Sequence, residues 1–92
     1  MSRIDLPFAA PERLALAYRT LRARGLGSQV KLLDLLRDSD AGVRGWVASH
    51  ALEFSPEKGE PVLVELAAQP GVVGLDAQMV LEEWRAGRLT FP

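Results

Sequence analysis

The stretch Asp38-Ser39-Asp40-Ala41-Gly42-Val43-Arg44, with the residues running on to Phe54, constrains this chain most. Its acidic turn ends one helix, and Asp40 is placed to cap the next. Behind that cap, Val43, Val47, Ala51 and Phe54 recur at i, i+4, i+8 and i+11. This is the period of a helix with an inward face, and a strand does not repeat this way. The spacing predicts one unbroken helix over Ala41–Phe54.

The other segments follow the same pattern. A first helix is expected over Pro11–Arg24, because proline suits the first helical position. Leu14, Ala17, Tyr18 and Leu21 share one face, and Gly25 is its glycine stop. Ser28 is the expected cap of a second helix to Arg37. There Leu32, Leu33, Leu35 and Leu36 form an apolar face while Lys31, Asp34 and Arg37 look outward. Ser55 to Pro61 reads as a break, with Pro61 in or before the first full turn of a fourth helix. That helix carries Val62, Leu63, Leu66 and Ala67 and ends near Gln69. After the turn Pro70-Gly71, a fifth helix over Val72–Ala86 has Leu75, Met79 and Val80 or Leu81 inward, and it stops at Gly87. Residues 1–10 are an arm whose Ile4, Leu6 and Phe8 fold back on the helices, and residues 88–92 are a tail. The whole is one all-α domain, 1–92, of about five helices.

At 92 residues and 48% hydrophobic, the chain can build one small core with a thin stability margin. It has no cysteine, which removes disulfides and thiolate chemistry and fits a reducing cytoplasm. Arg3 and Asp5 interrupt the first ten residues, so no signal peptide is expected, and no apolar run is long enough to span a bilayer. Net charge is −1, yet residues 1–44 hold eight basic and five acidic groups and residues 45–92 hold three and seven. A general nucleic-acid binder is basic overall; an acidic half suits a basic protein partner.

Two helical pairs overlay within the sequence. Leu32, Leu33 and Leu36 match Val62, Leu63 and Leu66, and one residue closer Ala48 matches Ala77 and Leu52 matches Leu81. Neither pair could hide its apolar side alone, whereas stacking makes a shared core. With these repeats in view, Val43-Arg44-Gly45-Trp46-Val47-Ala48-Ser49-His50-Ala51-Leu52, Pro56-Glu57-Lys58, Glu60-Pro61-Val62-Leu63 and Ala77 to Leu89 resemble a small bacterial family of unknown function built from HEAT-like helices. The likeness covers about residues 14–89. It implies a short right-handed α-solenoid of HEAT-like antiparallel helix pairs. Small helical-repeat proteins of this type also occur as immunity proteins beside bacterial toxins.

Catalytic sets are sparse. One histidine and no cysteine exclude most nucleophile–base arrangements. Ser49 and His50 are adjacent on a helix and point about 100° apart. Gly25-Leu26-Gly27-Ser28 lacks the lysine and preceding strand of a phosphate loop. His50 and Glu53 have the i, i+3 spacing of a helical metal pair but no second pair, and Asp34, Asp38 and Asp40 are better explained as caps and surface groups. No enzyme activity, cofactor or metal is expected. The expected partner is another protein, a cognate toxin or other basic target among the options. It would bind a ridge of Arg44, Trp46, Ser49, His50 and Glu53 with Asp76, Gln78, Glu82 and Glu83. Trp46 is its candidate anchor, with a half-buried packing residue as the alternative. Gly42, Gly45 and Ser49 form a small-residue strip beside it. Nucleic-acid binding through Arg13, Arg19, Arg22, Arg24, Lys31 and Arg37 is the alternative function. Self-association through Leu89, Phe91 and that strip is the third.

Overall fold

The computed structural model describes residues 12–91, with side chains from Leu16 onward. The expected arm at residues 1–10, Pro11 as the first helical residue, and the side chains of Arg13 and Leu14 lie outside the described residues. Among the described residues, five α-helices follow one another: α1 Glu12–Ala23, α2 Leu26–Val30, α3 Ala41–Phe54, α4 Pro56–Ala67 and α5 Gly71–Arg85. Lys31–Arg37 is a 3₁₀ segment between α2 and α3, and no strand occurs among the described residues. The fold is all-α.

The acidic turn does what its sequence implies. The Asp40 carboxylate accepts the Val43 N–H at 3.1 Å, Asp38 accepts the Asp40 N–H at 2.9 Å, and the Arg44 guanidinium donates to the Asp38 carbonyl at 2.7 Å. One orphan N–H of α3 is thereby satisfied. Asp40→Ala should cost about 1 kcal/mol, read as a lower urea midpoint at unchanged slope.

Helix α3 is buried on nearly every side, with Gly45 and Val47 through Leu52 out of solvent. A helix that is apolar all round belongs inside. Its Ala48 and Leu52 join Leu63 and Leu66 of α4 and Ala77, Val80 and Leu81 of α5 in one core. The overlaid pairs Ala48/Ala77 and Leu52/Leu81 thus meet in the same core. The tail packs there too: Leu89 and Phe91 are half-buried against it.

Four expectations are corrected. Ser28 caps nothing; the helix starts earlier, after Gly25, whose φ of 108° carries the chain out of α1. It then tightens into the 3₁₀ segment, where residues three apart eclipse. That aligns Leu33 with Leu36, both half-buried, and leaves Leu35 exposed. Ser55 to Pro61 is no break. Ser55 alone joins α3 to α4, Pro56 opens α4, and Pro61 sits inside it. Pro61 and Glu57 are both exposed, so the carbonyl that Pro61 cannot serve lies on the solvent side. The inner face of α5 is Gly74, Ala77, Val80 and Leu81, while Leu75 is exposed.

The end of α5 is as expected. Gly87, at φ 75°, donates to the Trp84 carbonyl at 3.0 Å and Arg88 donates to the Glu83 carbonyl at 2.8 Å. This paired closure needs a left-handed residue, and glycine takes that conformation without a Cβ clash.

Candidate functional site

The expected ridge divides in two. On α3, Ser49 and His50 are buried, and each spends its polar group on its own helix. The Ser49 hydroxyl donates to the Gly45 carbonyl at 2.7 Å, and His50 Nδ1 lies 2.8 Å from the Trp46 carbonyl. Neither presents a polar atom to a partner. Arg44 is half-buried and holds the acidic turn. Trp46 is half-buried and packs against the core.

On α5, Gln78 and Glu82 are exposed, while Asp76 and Glu83 are half-buried. Val72, Leu75, Met79 and Glu82 recur at i, i+3, i+7 and i+10, opposite the inner face. Gln78 flanks one side of this stripe, Asp76 and Glu83 the other. The Gln78 amide also donates to the Ala67 carbonyl at 3.0 Å and clasps the α4–α5 corner. Glu83 pairs with Arg88 at 2.7 Å, which holds its carboxyl below the usual range. Val72 is 71% and Leu75 65% exposed.

The buried part of the ridge belongs to a cluster that the sequence pattern does not reveal. Tyr18 of α1 is fully buried. Its ring lies 4.3 Å from that of His50 and edge-on to Trp46 at 6.4 Å; Trp46 and His50 lie 4.3 Å apart. Aromatic contacts of this kind add about 0.5–1.5 kcal/mol beyond burial. The Tyr18 hydroxyl donates to Glu53 at 2.6 Å and accepts from the buried Gln29 amide at 3.0 Å. One Arg22 nitrogen reaches both Glu53 oxygens, at 3.0 and 2.8 Å, and the guanidinium carbon lies 5.6 Å from the Tyr18 ring centre. Burial, with the Glu53 carboxylate beside it, pushes the Tyr18 hydroxyl well above its ordinary range. It stays a neutral donor.

These contacts bind α1 and α2 to α3. The signal was thin: one tyrosine at an apolar helix position, and Trp46 with His50 one turn apart. Nothing marked Gln29. Tyr18→Phe leaves the buried Gln29 amide without its acceptor, and Glu53 keeps only the Arg22 guanidinium as donor. The expected loss is about 1–3 kcal/mol, measured by chemical denaturation.

Among the described residues, no group of three or more His, Asp and Glu side chains could hold a metal, and no helix is long and apolar enough to cross a membrane. Glu53, the other half of the helical metal spacing, is engaged by Tyr18 and Arg22. Comparison with family models, with curated proteins and with solved structures returned no match.

Proposed function

We propose that this protein is a non-enzymatic contact module that binds another protein through the outward stripe of α5. The observation that carries this reading is the exposure of Val72 and Leu75 next to Asp76, Gln78 and Glu82. Apolar side chains at helical spacing inside an acidic rim suit a partner with apolar groups and cations. An immunity protein that covers a basic toxin is one protein of this kind, and it agrees with the resemblance to the HEAT-like bacterial family.

The architecture that fits best is a short right-handed α-solenoid of HEAT-like antiparallel pairs, the 3₁₀ segment with α3 and α4 with α5. Two observations support it. Each element packs on the next, and like elements of the two pairs also meet, the 3₁₀ segment with α4 and α3 with α5. The overlaid residues lie in one core.

A photo-crosslinking residue placed at position 75, in cells producing the protein, tests the reading. A covalent protein adduct is expected from position 75 and none from position 58, an exposed lysine at the start of α4. No adduct from position 75 overturns it. Co-expression with the product of the adjacent gene tests the immunity version: no complex and no relief of toxicity removes that version.

A further inference from the structure

We propose that the partner of the α5 stripe is a second copy of this chain, which presents the Leu26–Val30 face of α2, so that copies join head to tail. This rests on the stripe being a contact surface, as argued above, and names its occupant.

Three observations lead there. The two faces belong to opposite ends of the stack. Among the described residues, α5 packs on α3 and α4 but on neither α1 nor α2. Each end leaves an apolar pair open at helical spacing: Leu26 and Val30, 59% and 44% exposed, at one end, and Val72 and Leu75 at the other. Helical stacks stay soluble through polar outer faces on their terminal units, and among the described residues each of these faces leaves an apolar pair open within that polar surface.

The charges beside the pairs are opposite. Arg24 and Lys31, both exposed, flank Leu26 and Val30, whereas Asp76 and Glu82 flank Val72 and Leu75. None of these four charges has an ion-pair partner among the described residues. Joining the unlike ends buries apolar against apolar and sets Arg24 and Lys31 near Asp76 and Glu82. A two-fold contact between two α5 stripes would set Asp76 and Glu82 against their own copies, and two α2 faces would oppose Arg24 and Lys31 likewise. Electrostatics therefore favours the heterologous contact, which leaves one open end at each terminus and can grow.

Sedimentation velocity from micromolar to millimolar protein, at low and high salt, tests this. Wild type should move from monomer to dimer and then to longer species, with less assembly as salt screens the rim charges. Leu26→Gln and Leu75→Gln, at exposed helical positions, should each weaken association by roughly tenfold or more. Far-UV circular dichroism confirms that both fold. Each variant keeps one good face, so their equimolar mixture should form a 1:1 dimer that does not grow. A wild type that stays monomeric, a dimer that never extends, variants that assemble like wild type, or a mixture that behaves as its separate components overturns the proposal. A monomeric chain that still crosslinks from position 75 to a different protein overturns only the self-association, and the reading of α5 as a contact surface stands.

Discussion

Gly74→Ala is expected to lower the melting temperature by about 12–24 °C, while Gly27→Ala leaves it unchanged or raises it slightly. A Cβ on Gly74 would land on the Gln69 carbonyl oxygen and come 3.0 Å from its carbon. Both atoms are backbone, so no rotamer change can relieve the clash. Gln69 lies in the short α4–α5 corner that Gln78 clasps through the Ala67 carbonyl, and Gly74 is on the inner face of α5. One added methyl must therefore push α5 off the core. Overpacking of this kind costs about 3 kcal/mol where nothing can yield, and a domain of this size loses roughly 4–8 °C per kcal/mol. Gly59 makes the matching close approach between α4 and α3, where a Cβ would stand 2.6 Å from the Ala48 carbonyl and 3.0 Å from the Ala51 Cβ. Gly27 has nothing within 4 Å of its added Cβ, so alanine there gains helix propensity of up to about 1 kcal/mol. Thermal melts followed by circular dichroism separate the cases. Equal melting of Gly74→Ala and Gly27→Ala would show that the corner is not as tight as drawn.

What could be read from the chain divides along the same line between local and tertiary causes. Asp40 and Gly87 act within a few residues of themselves, as cap and left-handed stop, and both were legible. The proline-rich run from Ser55 to Pro61 was misread because two prolines and a glycine signal a turn in isolation. Pro56 instead opens the helix, and Gly59 lies where α3 comes too close for a side chain. The face of α5 was misplaced for a related reason. Leu75 and Met79 look like an inner stripe, but the inner side of α5 takes Gly74, where the Gln69 backbone comes close, and Ala77, which carry little hydrophobicity of their own. Four leucines in five residues fit either helical period, and only packing against α3 selects the tighter one. The candidate ridge suffered from the same blindness to neighbours. His50 lies on the side of α3 that Tyr18 covers, and no spacing within α3 announces a partner from α1. On α5, Gln78 and Glu82 stay exposed and Asp76 half-buried, because no distant element packs over that side of the helix.

Acidification should destabilise the protein by about 3 kcal/mol between pH 6.5 and 4, through His50 alone. Its ring is buried among Tyr18 and Trp46, and burial is the main reason its pKa falls from 6.5 to about 4. The hydrogen bond to the Trp46 carbonyl and the nearby Glu53 carboxylate oppose that fall, and Arg22 adds to it. With Nδ1 turned to a carbonyl acceptor, the neutral ring carries its proton on Nδ1, and Nε2 is buried with no hydrogen-bond partner. A second proton would place a charged N–H where no acceptor waits. The sign follows from proton counting. Between pH 4 and 6.5 the unfolded chain binds the proton and the folded one does not, so stability rises with pH across this window. It is fully present above pH 6.5 and lost as pH falls to 4, at most about 1.4 kcal/mol per pH unit. Glu57 and Glu83, whose carboxyls are held below their ordinary value, lose stability in the same direction but in a window that begins lower, near 4.5. Urea midpoints of wild type and His50→Gln, taken at intervals from pH 7.5 to 4.5, isolate the histidine. The variant should be less stable at pH 7, having lost the ring packing, yet its stability should change far less between pH 6.5 and 4.5. Parallel pH profiles for the two proteins would mean that His50 is not held neutral in the fold, and its ring contacts with Tyr18 and Trp46 would have to be open to water.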